Sequence, residues 1–298
     1  MTEFRPSRAP RGRLTRVGVV IDPRNGAERI RQIASMCDSA GIDALWVHDH
    51  LPLPHGGDAL EALPALRLVA GATGRANVGG ALRRGEGPPE AFADALAPLN
   101  RGLEGRFELS LATEGHGEAD IAAIRAALMR SAGSAPAISV EAQDQAGFDL
   151  AARVADDVVV PAGGPVDLDG ISGAVQTACE RAARDPATIG VALEIPVSIG
   201  RTLAEAEARG AGEALFDVVG RPSEVGMFGT LERCQERVIQ LAHAGVTDLR
   251  CIIPNNPDIQ DVIAQLTAVA IGTVDVLVPG APRSRDPDPP TGWGGRRT

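Results

Sequence analysis

Three of the chain's five histidines, His48, His50 and His55, fall within eight residues, and the segment Trp46-Val-His-Asp-His50 sets two of them around a carboxylate. An imidazole held by Asp49 could give or take a proton near neutral pH. On an extended strand, residues 48 and 50 point to the same face. That is also how two ligands of a metal would be placed, with the others coming from elsewhere; a purely structural role is the third reading. Because the five residues end an apolar run from Ile42, the cluster stands at a strand's C-terminal tip. Glu114, followed by Gly-His-Gly-Glu118, is either an exposed acid before a helix or a carboxylate facing the same region as His50. In Val140-Glu-Ala-Gln-Asp-Gln-Ala-Gly147, backbone N–H groups at a helix start could hold a phosphate or a heterocycle edge, although Glu141 and Asp144 argue against a bare phosphate. Nucleophile-elbow, Walker and Rossmann glycine patterns are absent.

The elements that must position these groups alternate. Short β-branched or apolar runs at 16–22, 42–48, 76–81, 106–112, 136–140, 157–160, 188–199 and 246–253 are separated by stretches with helical spacing at 27–40, 59–72, 88–99, 118–129, 147–155, 171–184, 202–215, 231–244 and 258–269. Eight strands, each followed by helix, predict a (β/α)8 barrel, with a doubly wound open sheet as the alternative. In a barrel, chemistry gathers at the C-terminal strand ends. The polar candidates there are Asp22, His48, Asp49, His50, Arg83, Thr113, Glu114, Glu141, Gln143 and Asn255. The expected organisation is a disordered leader over residues 1–15, one barrel domain over 16–278 and a Pro- and Arg-rich disordered tail over 279–298.

Composition narrows the function classes. The net charge is −10 and there is no lysine, which excludes Schiff-base and P-loop lysine chemistry and, with dispersed arginines, argues against nucleic acid as a partner. Tyrosine is absent, so no phenol serves as an acid. The four cysteines, Cys37, Cys179, Cys234 and Cys251, lack metal or redox spacing and are expected to be buried and reduced, consistent with a cytoplasmic protein. No apolar run is long enough for a membrane span.

Four stretches together resemble the luciferase-like family of flavin- and deazaflavin-dependent oxidoreductases. They are Ala40-Gly-Ile-Asp-Ala-Leu-Trp-Val-His-Asp-His-Leu51, the helix and strand from Asp58 to Gly79, Asn100-Arg-Gly-Leu-Glu-Gly-Arg-Phe-Glu-Leu109, and Gly229-Thr-Leu-Glu-Arg-Cys to Leu249; Ala151 to Asp156 adds a weaker match. The similarity spans roughly residues 17 to 272. The resemblance implies a (β/α)8 barrel that moves a hydride to or from coenzyme F420, or alternatively FMN, at the C-terminal mouth, acting on a small organic substrate as a homodimer. It implies Asp49 and His50 as the acid–histidine pair, with Glu114 as a further catalytic carboxylate. Gly80 and Ala81 match a ring-supporting bulge after strand three, Ala112 and Thr113 the loop after strand four, and Gln143, Ala146 and Gly147 the phosphate-side loop. Gly229-Thr230 and Asn256 to Ile259 look closest to the methylene-tetrahydromethanopterin reductase-like branch, which favours F420. The family's insertion between strands four and five is trimmed here, which leaves a non-catalytic barrel of the same family as the rival expectation.

Overall fold

Each apolar run is too short to bury itself and must pair with another, while each following helix has one greasy face to cover it. The result, in a computed structural model that describes residues 16–49, 61–84, 87–113, 116–162, 168–211, 213, 216, 226–254 and 259–277, is a closed parallel barrel. The strands are β1 (Arg16–Ile21), β2 (Ala44–His48), β3 (Asn77–Leu82), β4 (Phe107–Ala112), β5 (Ala137–Glu141), β6 (Asp157–Val160), β7 (Gly190–Ile199), β8 (Met227–Gly229) and β9 (Asp248–Ile252). Neighbours pair in order from β1 to β7, β9 pairs with both β7 and β1, and the ring of eight closes. The doubly wound alternative is excluded.

The helices lie between the strands in sequence: α1 (Gly26–Ala40), α2 (Ala62–Ala72), α3 (Pro89–Gly102), α4 (Glu118–Ala132), α5 (Gln145–Val154), α6 (Leu168–Arg181), α7 (Leu203–Gly210), α8 (Leu231–His243) and α9 (Ile259–Leu277). Helix α1 buries Ile30, Ile33, Ala34 and Cys37 on one face and ends at Gly41, whose φ of 84° is left-handed. No helix among the described residues is long and apolar enough to cross a membrane.

One element was not expected. Strand β8 is three residues long and pairs with β7 at Val197–Ile199, above the stretch Ala192–Pro196 where β7 pairs with β9. The expected leader and tail, His50 and Glu114 lie outside the described residues.

Alternation along each strand divides the side chains between two layers. Val17, Val19 and Ile21, Leu45 and Val47, and Leu109 and Leu111 join the main apolar cluster with the helices. Val20, Ala44, Trp46 and Ile252 form a second cluster with Phe216 and Phe228. Inside the barrel the middle layer is dominated by Trp46. In register it stands beside Val20 on β1 and Gly79 on β3. A Cβ at Gly79 would lie 2.2 Å from the indole Cε3, and one at Gly18 would lie 3.2 Å from its Cδ1. Two glycines therefore clear the space that the indole fills.

This packing makes Gly79→Ala a severe substitution even though alanine is the smallest change available. The added methyl has only ring and backbone to displace, so a loss of about 1–3 kcal/mol or more is expected in urea unfolding. Most of that loss should disappear when Trp46→Leu is combined with it; a Gly79→Ala protein as stable as the parent would refute the packing.

Candidate functional site

The upper wall of the barrel is polar because every second residue of several strands is polar. His48 ends β2 with its side chain almost wholly enclosed, and its Nε2 lies 3.3 Å from Glu194 Oε1 on β7. Arg250 on β9 also approaches Glu194, with a nitrogen 3.7 Å from the same oxygen. The guanidinium lies over the Trp46 ring, 3.3 Å from its centroid, and donates to Ser139 Oγ on β5 at 2.9 Å. Ser110 on β4 donates to Glu141 Oε1 at the end of β5, at 3.4 Å. Below this layer Arg16 pairs with Glu108 at 2.7 Å, and Asn77 donates to the same carboxylate at 2.6 Å. Burial pulls the Arg250 guanidinium below its usual range, while Glu194, Glu108, Glu141 and Asp248 oppose that shift and favour the charged form.

Around the rim, Asp49 is exposed but tied: its amide donates to Ala81 O at 3.0 Å, and its carboxylate accepts from the Arg83 amide at 2.6 Å. It thereby fixes the end of β2 to the turn after β3. Asp22 is taken up by Arg24, whose Nη2 lies 2.5 Å away. His116, just after β4, is buried with its ring 6.5 Å from that of Phe92, and neither ring nitrogen has a hydrogen-bond partner among the described residues. Burial, then the nearby Arg84 cation, hold its pKa below the ordinary value, with Asp120 and Asp49 pulling the other way.

The expected site residues divide. Ala81 and Ala112 belong to the strand positions that alternate into the barrel: Ala81 pairs in register with His48, and Ala112 stands one layer higher, beside Glu141. Gly80 turns the other way: a Cβ there would meet Leu66 of α2 at 3.0 Å. β3 pairs residue for residue with both β2 and β4, so Gly80 and Ala81 themselves stand in regular strand. Thr113 is half-buried, and its Cγ2 would lie 3.3 Å from a Cβ on Gly147. That glycine is needed for close packing, since the same Cβ would stand 2.9 Å from Ala142 Cα. Its amide donates to Asp144 Oδ1 at 2.9 Å, so Asp144 caps α5 and occupies the N–H that a phosphate would use. Gln143 and Ala146 are exposed on that turn. Neither a His–Cys nor an acidic cluster able to hold a metal occurs among the described residues. The four cysteines are free and buried, with burial pushing the Cys37 thiol up to about 12 and Cys234 to about 11.

Glu194, Arg250 and His116 were not on the list drawn from strand ends. Glu194 carries a signal, a lone charge at an inward position of an apolar strand, and Arg250 a weaker one, since Asp248 shares its phase on β9; His116, set between glycines, carries none.

The fold has solved counterparts. Coenzyme F420 dependent tetrahydromethanopterin reductase from Methanopyrus kandleri superposes with a TM-score of 0.68 at 15% identity, covering 85% of this chain and 97% of that one. Monooxygenase RslO1 from Streptomyces bottropensis gives 0.71 at 15% identity, covering 85% and 98%. An F420-dependent secondary alcohol dehydrogenase solved with an F420-acetone adduct gives 0.67 at 14%, covering 86% and 98%. No family model and no curated protein sequence matches the chain. The chain therefore has the (β/α)8 fold shared by these structures.

Two outcomes follow from the electrostatics. Arg250→Met strands buried carboxylates and should cost roughly 3–5 kcal/mol in urea unfolding, with Glu194→Gln added to it restoring part of the loss. His116 has a folded pKa below its ordinary 6.5, so the unfolded chain takes up the proton first as pH falls. Its effect is nil well above 6.5 and destabilising once pH drops through that value. His116→Gln should accordingly flatten the fall in melting temperature between neutral and mildly acidic pH; an unchanged slope would contradict it.

Proposed function

We propose that the protein is an oxidoreductase that uses F420, or alternatively FMN, to move a hydride to or from a small organic substrate at the C-terminal mouth of the barrel. The observation that carries this reading is the enclosed His48–Glu194 pair at the end of β2, beside the small Ala81, in a fold whose solved counterparts include F420-dependent enzymes. Those residues leave room for a planar ring: Ala81 beside His48 and Ala112 one layer higher are small, Trp46 lies one layer below, and ionisable groups stand at one side. A deazaflavin or flavin bound there would supply the hydride donor or acceptor.

The chain's own part is to handle the proton that accompanies hydride transfer at a carbon–oxygen centre. His50 is assigned that proton transfer, with Asp49 and Glu114 as supporting carboxylates. Asp49 is suited to hold the β2 tip, since its oxygen is engaged by the Arg83 amide. His48, two residues before His50, stands below the rim with Glu194 as its partner. Ala112 ends β4 and Thr113 follows it at the rim. A cofactor phosphate at the Gln143–Gly147 turn has to be held by groups other than the Gly147 amide, which favours a weakly held cofactor over a permanently bound one.

Anaerobic titration with oxidised F420 and, separately, FMN should quench cofactor fluorescence saturably, with affinity reduced in His50→Ala and in Ala81→Leu, which fills the room beside His48. A parent protein that binds neither cofactor at millimolar concentration would sink the proposal and leave the barrel as a scaffold.

A further inference from the structure

Beside the Phe228 edge of the inner cluster around Trp46, β8 and α8 border an open cavity of about 240 Å³ lined by Met227, Phe228, Arg233, Glu236, Arg237 and Gln240. The helix is divided lengthwise. Cys234, Val238, Leu241 and Ala242 are buried towards the barrel. Arg233, Glu236, Arg237 and Gln240, at spacings of three and four, form the opposite ridge along the cavity. Gly229 makes the placement of Arg233 possible: its φ is +135°, and a Cβ there would stand 2.8 Å from Arg233 Cδ.

The two guanidiniums differ from those on the adjoining helix. Arg209 on α7 is matched by Glu205 at 3.1 Å and Asp261 at 3.3 Å. Neither Arg233 nor Arg237 has a carboxylate within ion-pair distance among the described residues. Arg237 is half-buried, and its side-chain contact is to another neutral group, Gln240 Oε1, at 3.3 Å. Burial lowers its pKa with no neighbouring acid to offset the shift. A partly desolvated cation without a counter-charge is costly, and a second cation one helical turn away adds repulsion. Both costs disappear when an anion lies between them. The end of α8 itself plays no part, because the Thr230 hydroxyl already caps it.

We infer that the β8–α8 cavity is a binding site for a small phosphate-bearing ligand, held by Arg233 and Arg237 with Gln240 as a neutral donor. Two guanidinium forks match phosphate oxygens better than ammonium groups would. The volume is below the roughly 300 Å³ at which sites for drug-sized molecules begin, so a phosphate or a compact phosphoester fits and a dinucleotide does not. Glu236, between the arginines in sequence, faces the same cavity and limits affinity, which gives the site a signature that unspecific attraction to arginine lacks.

The test is isothermal titration of the full chain with inorganic phosphate, and then pyrophosphate, at ionic strength matched with chloride. Saturable binding is expected to weaken roughly ten- to hundredfold in Arg237→Gln or Arg233→Gln, the loss of one charge-assisted contact, and to tighten in Glu236→Gln. Arg130→Gln, on α4, should leave it unchanged. All four substitutions are at solvent-reachable positions, and unaltered melting curves will verify that each variant folds. Absence of saturable binding by the parent overturns the inference, as does an arginine variant that binds as tightly as the parent.

Discussion

The constraint on which the barrel interior depends is the stacking of Arg250 on Trp46. An indole is too large for a ring of eight strands unless its neighbours give way, and Gly18 and Gly79 do so on either side. A guanidinium cannot be taken out of water unless its charge is answered, and Glu194 and Ser139 answer it from two further strands. One contact therefore imposes residue types on β1, β3, β5 and β7. Barrels ordinarily fill this space with layers of branched aliphatic side chains. Here the layer is aromatic and ionic, and the strands are held in register by directional contacts as well as by apolar contact.

The same contact organises the mouth. Glu194 lies between Arg250 beneath and His48 above, so the imidazole at the β2 tip is connected to the interior cation through one carboxylate. The chemistry proposed for the mouth thus rests on groups that are buried for reasons of packing. A change deep in the barrel would be felt at the rim without any residue of the rim being altered.

The architecture was legible because it rests on local patterns. Eight apolar runs alternated with helical spacing, and each became a strand of the closed ring with ends displaced by no more than about two residues. Strand β8 escaped because Met-Phe-Gly is too short to show a period, and its pairing with Val197–Ile199 depends on where β7 parts from β9. The site was less legible. His48 and Glu141 could be placed from their positions at strand ends, but the partners that define them could not. Ser139 and Arg250 are 111 residues apart in the chain and meet only because the barrel closes. The orientation of Gly80 towards Leu66 likewise depends on the phase of β3, which a glycine pair does not reveal.

The acidic turn after β5 shows why spacing alone misleads about charge. Asp144 in the sequence is an extra negative charge beside a would-be phosphate loop. In the fold its carboxylate accepts the Gly147 amide and completes the start of α5. It is thus an internal substitute for an anion rather than a mere repellent of one, and it satisfies the helix terminus without a ligand. Arg233 and Arg237 present the converse. Their charges are supplied but not answered within the described chain, on a protein with a net charge of −10. Where the chain has completed its own electrostatics no anion is needed, and at the β8–α8 cavity it has left that completion to something else.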